Sequence, residues 1–127
     1  VFFTARSFLP HLLEPADGDN HPPGMTGKIA VISSIMGSQE RASSNAPIYR
    51  ASKAGATNIA RTLAVELAPR GVAVGAYHPG WVRTDMGGAA ADVAPADSAA
   101  GLLARFDALD LATTGIYESY RGEPLPF

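Results

Sequence analysis

Cysteine is absent from the chain, which excludes a disulfide scaffold, a thiolate metal site and a cysteine nucleophile. Its absence also fits a reducing, cytoplasmic setting. No apolar run approaches the roughly 20 residues that cross a bilayer, and no membrane partner is expected. The first residues, Val1 to Arg6, lack the charged-then-apolar order of a secretory signal. The formal charge is only −2, with no basic patch or acidic tail, so a nucleic-acid partner is not expected. His21 stands alone in a Pro/Gly/Asp-rich loop, whereas a metal site needs about three or four converging ligands; no metal is expected. The 127 residues suffice for one small domain. There is no initiator Met, so the chain is expected to begin inside a longer one.

What is present alternates between helical and extended patterns. Residues 1–14 read as a helix with Phe2, Phe3, Leu9, Leu12 and Leu13 on a broad apolar face, kinked or shortened by Pro10. A surface loop follows to residue 27. Lys28 to Ser33 is a short continuous apolar run, the pattern of a strand covered on both faces in a parallel sheet. Tyr49 to Ala68 is the strongest helix, with Ala56, Ile59, Ala60, Leu63 and Leu67 at three- and four-residue steps. Gly71 suits the left-handed position that ends it. Val72 to Tyr77 reads as a second buried strand, and residues 87–95 as a mobile Gly/Ala-rich stretch. Ala96 to Leu109 reads as a helix with Leu102, Leu103, Phe106 and Leu109 inward and Asp97 in its first turn. Ile116 to Tyr120 reads as a last strand. This order predicts an α/β open sheet of parallel strands joined by crossover helices.

In such sheets ligands sit beyond the C-terminal ends of the strands. Ser33-Ser34 ends one strand, and His78-Pro79-Gly80 ends the next. Tyr49 and Lys53 are four residues apart, on one face of the helix that starts after the first. An ammonium beside a phenol favours the phenolate and so suits the pair to acid–base chemistry. Either signal alone has a plain structural reading. Tyr49 and Lys53 could be a solvated helix face, Ser34 a strand-end cap and His78 a structural residue. Topology brings them to one rim.

Three pieces in this order, Val31-Ile32-Ser33-Ser34, Tyr49-x-x-x-Lys53 and Pro79-Gly80-x-Val82-x-Thr84, resemble the short-chain dehydrogenase/reductase family. The stretches Ser33-Ser34-Ile35-Met36-Gly37-Ser38, Tyr49-Arg50-Ala51-Ser52-Lys53-Ala54, His78 to Gly88 and Tyr120 to Phe127 resemble its C-factor/sniffer-type carbonyl reductase branch. The resemblance implies a Rossmann-type doubly wound sheet and hydride transfer between a nicotinamide and a carbonyl or alcohol. It implies Ser34, Tyr49 and Lys53 as catalytic residues, with Tyr49 passing the proton. Lys53 would tune Tyr49 and bind the nicotinamide ribose, and Ser34 would hold the substrate oxygen. Pro79, Gly80, Val82 and Thr84 would hold the carboxamide. Met36, Trp81 and Met86 are substrate-pocket candidates. The cofactor is NADP or NAD, with a slight lean to NADP, the substrate is a small molecule, and a homodimer through the helices at 1–14 and 49–68 is expected.

The sequence departs from the family in one respect. It has no strand–Gly-x-x-x-Gly-x-Gly–helix unit to hold a pyrophosphate. Residues 1–127 are therefore expected to be a partial domain, about three strands and three helices without the Gly-rich cofactor-binding half, and inactive alone. The Lys28–Ser33 strand should then carry a bare apolar edge. The alternatives from other classes are a non-catalytic signalling or cofactor-sensing protein, and a dimerisation module built on the small-residue helix 51–67.

Overall fold

The computed structural model describes residues 1–14 and 22–127. Residues 15–21, including His21 and most of the expected surface loop, lie outside the described residues. Helix α1 (Phe2–Leu12) leads to strand β1 (Gly27–Ile32). Helix α2 (Pro47–Leu67) crosses to β2 (Val72–His78), and α3 (Pro95–Ala108) crosses to β3 (Tyr117–Ser119). All pairing is parallel, in the order β1-β2-β3, with Gly27 opposite Val72 and Ile32 opposite Tyr77. Ala76 to His78 lie opposite Tyr117 to Ser119. Among the described residues this is a three-stranded part of a Rossmann-type sheet.

The central strand, β2, explains the layering. Its side chains alternate between faces. Val72, Val74 and Ala76 join Ala60, Leu63, Ala64 and Leu67 of α2 and Ala5 of α1 in the main core. Ala73 packs with Met25 and Leu109 on the opposite face, where Tyr77 also meets Phe106 of α3 edge-on at 5.1 Å. Proline lies in the first turn of α2, where its missing N–H is no loss. Gly71 ends the following 3₁₀ turn at φ 83°, as expected, and a Cβ there would lie 2.6 Å from the Gly24 carbonyl oxygen.

Several expectations need correction. Phe2 and Phe3 do not face the core: Phe3 is 76% exposed, and α1 instead packs through Ala5, Leu9 and Leu12. Leu103 lies outside the α3 stripe at 61% exposure, because α3 covers only the strip held by Leu109 and Phe106. Strand β1 is not covered on both faces. Ala30 and Ile32 are exposed, on the face where Ala73 packs with Met25 and Leu109, because that cluster covers β2 and does not extend over β1. Strand β3 holds only three residues, since Tyr120 and Arg121 already turn into the hairpin-like return that bridges Glu118 to Pro124. The Gly/Ala-rich stretch is anchored: Val93 bridges Val82, and Ala91 and Val93 are buried. No helix among the described residues is long and apolar enough to cross a membrane.

Candidate active site

Beyond the C-terminal ends of β1 and β2 lies a cavity of about 690 Å³, within the roughly 300–1,000 Å³ usual for ligand sites. Ser34, Met36, Tyr49, Pro79, Gly80, Trp81, Val82, Thr84 and Met86, all expected from sequence, line it. Lys53 does not line it. Its ammonium sits 5.7 Å from the centre of the Tyr49 ring and donates to the Ile32 carbonyl at 3.1 Å. Lys53 thus reaches from α2 to the end of β1, behind the phenol. Tyr49 is 37% exposed.

The Ser34 side is built by close backbone packing. Ser34 accepts a hydrogen bond from the Met36 N–H at 3.2 Å and caps the 3₁₀ turn Ile35–Gly37. The plain capping role and the site placement are both realised. That turn rests on α2: a Cβ on Gly37 would lie 2.8 Å from the Lys53 carbonyl carbon and 2.9 Å from its oxygen. Ser33 donates to the same Lys53 carbonyl at 3.2 Å and shares a 2.6 Å hydrogen bond with the Thr57 hydroxyl. The strand end and the Tyr49 helix are therefore one unit.

The opposite wall is the loop after β2. Gly80 has φ 87°, and a Cβ there would meet the Tyr120 ring at 2.9 Å and Val93 at 3.1 Å, so only glycine fits. The Val82–Val93 bridge uses the Arg83 N–H and the Trp81 carbonyl, which turns the Val82 N–H away from Val93. Trp81 donates from Nε1 to the Gly87 carbonyl at 2.9 Å, and the Thr84 hydroxyl accepts from the Gly87 N–H at 3.3 Å. Met86 is 88% exposed and stands with Trp81 at the rim. His78 also lines the cavity, and its Nδ1 is buried without a partner among the described residues. Burial, and to a smaller extent Arg41, holds this imidazole below its ordinary value of 6.5.

Other residues shaping the site carried no readable sequence signal. Ser98 of α3 is buried and donates to the Pro79 carbonyl at 2.7 Å. Arg50 donates to the carbonyls of Arg41 (3.0 Å) and Asn45 (2.9 Å), gathering the segment between Ser34 and Tyr49. Ala46, at φ 49°, is a left-handed residue on the cavity wall. Tyr117 of β3 is buried, and its phenol donates to the Ser34 carbonyl. Each acts through a bond to a backbone carbonyl or through backbone shape. The arrangement can place a phenol and a hydroxyl near one oxygen, with an ammonium close to the phenol and the Pro79–Thr84 backbone on the facing wall.

Two outcomes follow from this geometry. Gly37→Ala puts a methyl against immobile backbone and should destabilise the protein by about 1–3 kcal/mol in urea unfolding, while an Ala substitution at the open Gly55 should not. For His78, the unfolded chain takes up a proton that the folded chain resists. Its stabilising contribution is therefore complete above pH 6.5 and is lost as pH falls below that value. His78→Asn should reduce the drop in urea midpoint between about pH 7.5 and about pH 5 relative to the parent protein.

Residues 1–94 match the family described as short chain dehydrogenase. The chain is 35% identical over 105 residues to the C-signal protein of Myxococcus xanthus, covering 82% of this chain and 63% of that one. Among solved structures it is similar to the carbonyl reductase Sniffer of D. melanogaster, at TM-score 0.85 and 30% identity over 97% of this chain and 51% of that one. It is likewise similar to an NADPH-bound carbonyl reductase from chicken fatty liver, at TM-score 0.86 and 29% identity over 99% of this chain and 52% of that one. The chain thus spans about half the length of the reductases and under two thirds of C-signal. With its parallel sheet and with Ser34, Tyr49 and the Pro79–Thr84 loop on one cavity, the chain belongs to the short-chain dehydrogenase family of oxidoreductases.

Proposed function

We propose that the full-length protein is an NAD(P)-dependent oxidoreductase that interconverts a carbonyl and an alcohol on a small molecule. The observation that carries this reading is the single cavity lined by Ser34, Tyr49 and the Pro79–Thr84 loop, with Lys53 held behind the phenol. The residues fit a nicotinamide: Pro79, Gly80, Val82 and Thr84 share one wall of the cavity, and the Val82 N–H is turned from its neighbouring strand. Pro79, Gly80, Val82 and Thr84 would hold the carboxamide, and Tyr49 and Lys53 the ribose. When bound, the nicotinamide supplies or accepts the hydride.

The chain's own residues handle the proton. In reduction, Tyr49 gives its phenolic proton to the carbonyl oxygen; in oxidation it takes the alcohol proton back. Lys53 keeps a positive charge beside the phenol as that proton leaves. Ser34 donates to the oxygen on which negative charge develops, a preorganised stabilisation that acts mainly in the transition state. Met36, Trp81 and Met86 give the cavity apolar contact surface for the rest of the substrate. The NADPH named with the chicken reductase supports a nicotinamide cofactor, and NADP and NAD both remain within the proposal. The 127 residues contain no Gly-rich strand–turn–helix unit, so turnover is expected of the full-length protein rather than of these residues alone. Exposed Phe3 on α1 and Val65 on α2 favour a homodimer through these helices.

Tyr49→Phe should lower kcat/KM for NADPH- or NADH-dependent reduction of small aldehydes and ketones by about 10³-fold. Binding of the reduced cofactor, read by nicotinamide fluorescence, should persist and weaken by no more than about tenfold, the loss of one ribose hydrogen bond. Undiminished turnover in this variant would exclude the proposed chemistry. A protein that never turns over, yet keeps a Tyr49-independent biological activity, would instead favour a signalling role.

A further inference from the structure

Ser34 is held from two sides. Within its own turn, its carbonyl accepts the Gly37 N–H at 2.8 Å. From across the sheet, the same carbonyl accepts the phenol of Tyr117, 83 positions later in the chain. Tyr117 stands on β3, separated from β1 by the whole width of β2. The register shows how it reaches. Val31 is opposite Ala76, and Ala76 is opposite Tyr117, so the residue between them on the shared face carries only a methyl group. The ring passes over that small side chain, packs at 5.5 Å against Phe127, and ends at Ser34. Tyr117 is 2% exposed.

Such placement is costly unless the hydroxyl has a partner, and the partner is the backbone of the residue whose side chain lines the cavity. Burial pushes the phenol above its ordinary value of 10.0, against a smaller opposing pull from the Thr57 hydroxyl. The group is therefore protonated, and a donor, at neutral pH. Tyr117 itself is not on the cavity wall. Fixing the Ser34 carbonyl fixes the peptide from which its side chain projects, and a small displacement of a positioned group is expensive in rate.

We propose that Tyr117 is a positioning residue that acts through Ser34, setting where the Ser34 hydroxyl stands in the cavity. The catalytic part of this inference rests on the oxidoreductase reading above; the structural part does not. Two measurements on the full-length protein separate them, both using Tyr117→Phe, which keeps the ring and removes only the donor. In amide hydrogen exchange, the Met36 N–H, which donates to the Ser34 hydroxyl, should exchange about tenfold faster in the variant. The Leu63 N–H, within the buried part of α2, should be unchanged. Equal acceleration at both sites would show that Tyr117 serves the core at large, and no acceleration at Met36 would show that it does not hold Ser34; either overturns the proposal.

In steady-state reduction, Tyr117→Phe should lower kcat by about tenfold with KM little changed. In a Ser34→Ala background the same substitution should cost less than about twofold. An undiminished penalty in that background would overturn the action through Ser34. If the parent protein reduces no carbonyl substrate, the oxidoreductase reading fails, and the exchange result alone decides whether Tyr117 holds Ser34.

Discussion

The contact of the turn after β1 with the backbone of α2 is the constraint on which the site depends. Gly37 lies against the Lys53 carbonyl with no room for a side chain. Ser33 bonds to that carbonyl, and Lys53 bonds back to Ile32. The strand end that carries Ser34 and the helix turn that carries Tyr49 are thus tied by reciprocal contacts around one residue. Lys53 uses its backbone to receive the strand end and its ammonium to stand behind the phenol. The opposite wall is assembled by similar means. Gly80 meets Tyr120 closely, and Ser98 fixes the Pro79 carbonyl. Side chains of the site are few, and backbone packing decides where they stand.

The sheet was legible because burial of β2 on both faces requires a continuous apolar run, and Val72 to Tyr77 is one. The same rule misread β1. Lys28 to Ser33 has an equally apolar sequence, but Ala30 and Ile32 are exposed at the edge of the described sheet. A run of apolar residues records what a strand can bury, while its neighbours decide what it does bury. Helix faces show a related difficulty. Periodicity on α1 permits a stripe that includes Phe2 and Phe3, yet α1 meets the core through Ala5, Leu9 and Leu12. A broad apolar helix has more than one admissible face, and packing distance selects among them.

The site divides along a similar line. That Ser34, Tyr49 and the Pro79–Thr84 loop share one cavity could be foreseen, because topology carries the strand ends and the start of the following helix to one rim. Tyr117, Ser98 and Arg50 could not, because their signal is a bond to a backbone carbonyl, and every residue offers a carbonyl. Gly37 stood within a stretch noted for family likeness, but nothing in the sequence shows that its missing Cβ is what lets Lys53 approach. The left-handed Ala46 leaves no trace in sequence either, since alanine there gives no hint of positive φ.

The proposed chemistry requires the cavity to take a nicotinamide and a carbonyl compound. The most direct measurement is an NMR titration of NADPH into the full-length protein, following the backbone amides. Saturable shifts should concentrate at Gly80, Val82 and Thr84 and at Tyr49 and Lys53 on the facing helix. Absence of saturable shifts at these amides, or shifts confined to α1 and the exposed edge of β1, would contradict it.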